Sequence, residues 1–115
     1  MDQLQVTATF PSIHPDDLAS FKKTAREALA IVEKEQGTLQ YDWFFNDDET
    51  KCVLRETYTD SDAVLAHIGA MGEQLGGLID LGGGIEVEVF GNPSETLRQA
   101  AAEMKPAVYS YFQGK

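Results

Sequence analysis

Two neighbouring stretches, TLQYDWFFN (residues 38–46) and KCVLRETY (residues 51–58), restrict the fold more than any other part of the chain. Each alternates with the period of two that marks a half-buried strand, and only DDET separates them. Pairing Asn46 with Lys51 puts Asp42 opposite Arg55 and Phe44 opposite Val53 on one face. On the other face Leu39, Tyr41, Trp43 and Phe45 meet Tyr58, Glu56, Leu54 and Cys52. That second face is aromatic and apolar, so it is expected to lie under helices. Glu56 is the exception within it. A lone buried carboxylate is costly, so Glu56 needs a partner or a wet cavity.

The flanking segments say what covers the hairpin. LQVTATF (residues 4–10) alternates as a strand. Pro15, Asp16 and Asp17 suit the first turn of a helix, and Leu18, Phe21, Ala25, Leu29 and Val32 then form an apolar stripe that ends towards Gly37. A second helix starts near Ser61, capped by Ser61 or Asp60, with Val64, Ile68, Met71, Leu75 and Leu78 on one face. IEVEVF (85–90) reads as a fourth strand, SETLRQAAAEM (94–104) as a short capped helix and AVYSYF (107–112) as a fifth strand. The order β-α-β-β-α-β with an α-β extension predicts an α+β, ferredoxin-like antiparallel sheet with both long helices on one face. One domain is expected over 1–115, with a core over about 4–91 and the extension over about 92–115.

Charge and cysteine usage remove several function classes. The 115 residues carry 19 acidic against 9 basic side chains, a net charge of −10, which repels phosphate backbones and anionic lipid. Neither nucleic acid nor a membrane is expected as a partner. The N-terminus lacks a basic start followed by an apolar stretch, so no secretory leader is expected. With Cys52 the only cysteine, no internal disulfide forms and a Cys-rich zinc site is ruled out; a reducing cytoplasm is the expected compartment.

The candidate reactive groups are His67 and Glu56, with Tyr41, Trp43 and Tyr58 as candidate contacts to a small molecule. By a helical wheel His67 falls at the edge of the second helix's apolar stripe. It is either a general base titrating near neutral pH or a half-exposed residue at the core border. Glu56 is either an acid–base group or a structural carboxylate bonded to Tyr41 or to backbone amides. The three aromatics are core residues or cavity walls whose polar tips seek partners. His14, beside Pro15, reads as a surface residue. Two distant histidines give no compact metal-ligand spacing. GLIDLGGG lacks the Lys-Ser/Thr ending of a phosphate loop and precedes a strand. Cys52, on the buried face, reads as a small hydrophobe rather than a nucleophile.

The segment EQGTLQYDWFFNDDETKCVLRETYTDSDAVLAH resembles the central signature of the antibiotic biosynthesis monooxygenase (ABM) domain family, and within it the quinol-monooxygenase-like members. A glycine after the first helix, an aromatic strand end and an E-x-aromatic strand lead there into D-x-x-A-x-x-x-H. Gly37, Tyr41, Glu56, Tyr58, Ala63 and His67 stand for those elements here. The resemblance spans residues 4 to about 91. It implies a homodimeric α+β barrel and a cofactor-independent monooxygenase acting on a small aromatic quinol or polyphenol, with no metal or flavin. In that reading His67 and Glu56 are catalytic, and Tyr41, Trp43 and Tyr58 bind the substrate. Superfamily members also include isomerase-like enzymes, so an isomerase or lyase on a small oxygenated metabolite is the alternative, beside a non-catalytic ligand-binding dimer. Haem breakdown is disfavoured, because the first strand offers Gln5, Thr7 and Thr9 where haem-degrading relatives carry an Asn, and Tyr58 stands where they carry a Trp. The face implied to meet the dimer partner is polar (Gln5, Thr7, Gln40, Asp42, Arg55, Glu86 and Glu88), and the AVYSYF strand is expected to pair within or between subunits.

Overall fold

The hairpin forms in the expected register in the computed structural model, which describes residues 2–115. Strand β2 (Thr38–Phe45) runs antiparallel to β3 (Cys52–Tyr58), with Tyr41 opposite Glu56, Asp42 opposite Arg55, Trp43 opposite Leu54 and Phe45 opposite Cys52. The register slips between Thr38 and Gln40, so Thr38 rather than Leu39 faces Tyr58. Leu39 is thereby turned out of the inner face and is 55% exposed, a correction to the strict alternation that a bulge explains. The Asp42 and Arg55 side chains stand in register without forming an ion pair; Gln40 Nε2 donates to Asp42 instead, at 3.1 Å.

Strand β1 (Leu4–Phe10) inserts beside β3, and β4 (Glu86–Phe90) pairs antiparallel on its other side. Strand β5 (Ala107–Tyr109) completes the sheet by pairing parallel to β4 in the same chain, giving the order β2-β3-β1-β4-β5. It is shorter than the AVYSYF run, and its partner is intramolecular. Helix α1 (Leu18–Val32) follows a single 3-10 turn over Pro15–Asp17, which exposed His14 caps by accepting a hydrogen bond from the Asp16 amide. Helix α2 (Ser61–Leu81) is capped by Asp60, whose Oδ1 accepts from the Ala63 amide at 2.8 Å. Helix α3 (Glu95–Ala100) is capped by Ser94, and a second 3-10 turn leads from it to β5.

Both long helices lie on one face of the sheet, as the pattern requires. The buried stripe of α1 is Phe21, Ala28 and Val32, while Leu29 is 38% exposed; its place in the expected stripe is corrected, because the stripe continues from Ala25 through Ala28 at a spacing of three. The buried residues divide into two clusters. One gathers Phe10, Phe21, Ala28, Val32, Cys52 and Leu54 with Met71 and Leu78 of α2; the other gathers Leu4, Val6, Tyr58, Val64, Val89 and Leu97, from the sheet, α2 and α3. No helix among the described residues is long and apolar enough to cross a membrane.

Candidate active site

Alternation on β3 aims Cys52, Leu54, Glu56 and Tyr58 at the helices, and three of the four are ordinary core residues. Glu56 is buried with them, at 7% exposure. Its partner is its own strand neighbour two positions on: the Tyr58 hydroxyl donates a short hydrogen bond to Glu56 Oε1. Residues two apart on a strand share a face, which is why the sequence brings them together. The expected hydrogen bond to Tyr41 is replaced by this one. Tyr41 stands directly across on β2, with its ring 5.1 Å from the His67 imidazole.

His67 lies deeper than its place at the edge of the stripe suggests. It projects from the second turn of α2 and is 7% exposed, between the rings of Tyr41 and Tyr58. Its Nδ1 is 2.9 Å from Glu35 Oε1, a residue the sequence reading missed. Glu35 follows α1 in the turn that leads to β2, and its Oε1 also accepts from the Thr38 hydroxyl at 2.8 Å. Gly37 makes this approach possible. A Cβ there would stand 2.6 Å from the Ala63 Cβ, so only glycine lets the α1–β2 turn close on the first turn of α2. The Thr59 amide, which donates to the Gly37 carbonyl at 2.9 Å, fastens the same junction. The available signal was Glu35-Gln36-Gly37-Thr38 itself, an acid two residues ahead of a glycine that the resemblance already marked.

The Glu35 carboxylate assigns the imidazole tautomer. Nδ1 carries the proton and donates to Glu35, which leaves the lone pair of Nε2 facing Glu56 Oε1 across 3.9 Å. Burial favours the neutral imidazole and holds His67 below its usual range, although Glu35 pulls the other way through its hydrogen bond and its charge. Burial likewise pushes Glu56 up to about 7; the Tyr58 hydrogen bond opposes this and the Glu35 charge adds to it. Both phenols rise far above their ordinary range, chiefly by burial and then by the charge of Glu56. The close approach of His67 and Glu56 near pH 7 therefore joins a neutral imidazole, an acceptor at Nε2, to a carboxyl about half protonated, rather than a fixed salt bridge. An oxygen about 2.8 Å from each would bridge the 3.9 Å gap. The arrangement can take a proton from a substrate at Nε2, stabilise the imidazolium through Glu35, and return a proton from Glu56.

Glu56, His67, Tyr41 and Tyr58 form the polar end of a cavity of about 80 Å³. Val6, Leu54, Met71, Val87, Val89 and Leu97 contribute to its apolar wall. Of the expected site residues, Glu56, His67, Tyr41 and Tyr58 all line it. Trp43 does not. Its ring belongs to the aromatic cluster, 6.3 Å from Phe10 and 6.2 Å from Phe21, and touches the site only through Tyr41. The next inward-facing position on β2 already lies beneath α1, outside the reach of the cavity. Cys52 is fully buried, and burial pushes its thiol up to about 11, as suits a packing residue. Among the described residues no cluster of three or more His, Cys, Asp or Glu is arranged to hold a metal ion.

With this geometry in place, the comparison with known proteins is decisive at the level of family. Residues 4–70 match the family described as antibiotic biosynthesis monooxygenase, more than half of the chain. The chain belongs to the antibiotic biosynthesis monooxygenase family. No curated protein matches it. Among solved structures, MupZ from Pseudomonas fluorescens superposes with a TM-score of 0.83 at 26% identity, over 100% of this chain and 94% of that one. SnoaB from Streptomyces nogalater, named as a cofactor-independent oxygenase and solved as a point mutant, superposes with a TM-score of 0.68 at 16% identity, over 82% and 96%. A protein from Mycobacterium tuberculosis, Rv0793, gives 0.65 at 23% identity, over 81% and 97%. The sheet order and the two helices on one face are thus those of the ABM fold, and the match supports a monooxygenase-like function in general terms.

Proposed function

We propose that this ABM-family chain is a cofactor-independent monooxygenase of a small aromatic quinol or polyphenol. The observation that carries the reading is the buried His67 imidazole, held by Glu35 at Nδ1 and open at Nε2 inside an apolar cavity. A phenolic hydroxyl bound there loses its proton to Nε2. The resulting anion transfers an electron to dioxygen, and the radical pair recombines to a carbon-bound hydroperoxide. Loss of water then leaves a hydroxyquinone, so one oxygen atom enters the product and the other departs as water. The substrate supplies the electrons, Tyr41 and Tyr58 flank its ring, and Glu56 supplies the proton for the departing water. The name of SnoaB lends support as a fold-level likeness.

The same reading includes a homodimer. The sheet face away from the helices exposes Phe44, Phe90 and Tyr109, the last two stacked at 5.3 Å, so it is less polar than its sequence pattern implies. Light scattering with a Phe44→Glu variant checks this; a monomer in both forms would refute it. A second reading has its own support: a carboxyl pushed up to about 7 next to a neutral imidazole also suits proton shuttling in an isomerase or lyase. Dioxygen uptake separates the two. Chelator-treated protein incubated with a panel of hydroquinones and polyphenols should consume dioxygen, and His67→Ala should lower the rate by about a hundredfold or more. No uptake from any member of the panel would exclude the oxygenase reading.

A further inference from the structure

The lining of the cavity is completed by the part of the chain that lies outside the family match. Pro93, Leu97, Arg98, Met104, Pro106 and Val108 line it, all of them beyond residue 70. This cap is anchored at both ends. The Ser94 amide donates to the Ser61 hydroxyl at the start of α2, at 2.9 Å, and β5 is hydrogen-bonded into the sheet beside β4. Arg98 is the one permanent cation among the lining residues. Its Nε donates to the Pro93 carbonyl at 3.3 Å, which fixes the direction of the side chain. Although acidic residues outnumber basic ones 19 to 9, Arg98 forms no ion pair among the described residues. Arg98 is exposed to solvent and also borders the cavity, so it marks a place where the cavity opens.

We infer that Arg98 is a substrate-binding residue, and that the cavity takes an apolar or aromatic molecule carrying a terminal oxyanion, a carboxylate or a phosphate, which the guanidinium grips at the mouth. This deepens the oxygenase reading and rests on the cavity being the substrate site. The far end disfavours a second negative charge, because its walls are apolar and the buried Glu56 carboxyl stands there, so the molecule has one orientation: anion at Arg98, neutral hydroxyl-bearing end between His67 and Glu56. The planar guanidinium presents paired N–H donors that match either oxyanion.

Calorimetric titration near neutral pH with hydrocinnamate, phenethyl phosphate and the uncharged hydrocinnamide tests this without dioxygen or turnover, so its result is independent of whether the protein is an oxygenase. At least one of the two anions should bind wild-type protein about tenfold more tightly than the amide, and whichever binds better identifies the oxyanion. Arg98→Gln should abolish that margin while leaving amide affinity unchanged, and Arg98→Lys should restore part of it. Equal binding of all three probes, an equal loss of amide and anion binding in Arg98→Gln, or no binding of any probe would each overturn the assignment.

Discussion

The same sheet is covered in two different ways along its length. Beneath α1, rings pack on rings: Phe21 meets Phe10 edge-on at 5.3 Å and Phe45 at 6.0 Å, and Trp43 closes the group. Beneath α2 and α3 a cavity remains, and the polar groups at its end are paired with protein partners: Tyr58 with Glu56, His67 with Glu35. The first region is what aromatic side chains do when shape alone decides. The second keeps ionisable groups in a poor solvent, where Glu56, Tyr41, Tyr58 and His67 are displaced from their ordinary titration ranges. One end of the molecule holds the sheet and helices in place so that the other end can remain hollow. The contrast teaches that stability and chemistry are separable here, and single substitutions should separate them.

The largest effect belongs to the packed end. Phe21→Ala removes a fully buried ring with three aromatic neighbours and should cost about 3–5 kcal/mol in denaturant unfolding. A loss below about 1 kcal/mol would mean that the ring cluster does not anchor the fold.

At the hollow end the sign reverses. Glu56 titrates at about 7 when folded and near 4.5 when unfolded, so between those values the folded chain holds a proton that the unfolded chain has released. Wild-type stability therefore loses this contribution as pH rises through that window. Glu56→Gln keeps an acceptor for Tyr58 and has no proton to lose. Its stability relative to wild type should rise by up to about 3 kcal/mol between about pH 4 and about pH 8, measured by urea unfolding at each pH. A difference that is flat with pH would show that Glu56 is not held protonated by its surroundings.

The smallest effect is expected where the sequence pattern pointed and the structure does not follow. Leu29→Lys, on the exposed side of α1, should change stability by less than about 0.5 kcal/mol. A loss comparable to that of Phe21→Ala would place Leu29 in a contact that this chain alone does not contain.

The legible part of the fold follows from local rules. The period of two in β1, β2 and β3, the Asp60 cap and the order of elements lead to the observed sheet, and alternation alone puts Glu56 and Tyr58 on the inner face. What was not legible depends on how elements meet in space. The bulge at Leu39 obeys the pairing of both strands, not the pattern of one. The depth of His67 is set by how α2 lies across Tyr41 and Tyr58, and a helical wheel has no information about that. Glu35 sits after the end of α1, where no periodicity applies, and reaches His67 only because Gly37 lets the turn close on α2. Trp43 shares a face with Tyr41, but two residues along a strand span roughly 6–7 Å, enough to pass from the cavity into the ring cluster.

The central claim is that the hollow end keeps a carboxyl poised near neutrality beside a neutral imidazole. A carbon-detected NMR titration of the Glu56 side-chain carboxyl, assigned by comparison with Glu56→Gln, tests it directly. The account predicts a midpoint at about 7. A midpoint near the ordinary carboxylate value of about 4.3 would contradict it, because Glu56 would then be ionised at neutral pH and the site would hold a fixed charge instead of a transferable proton.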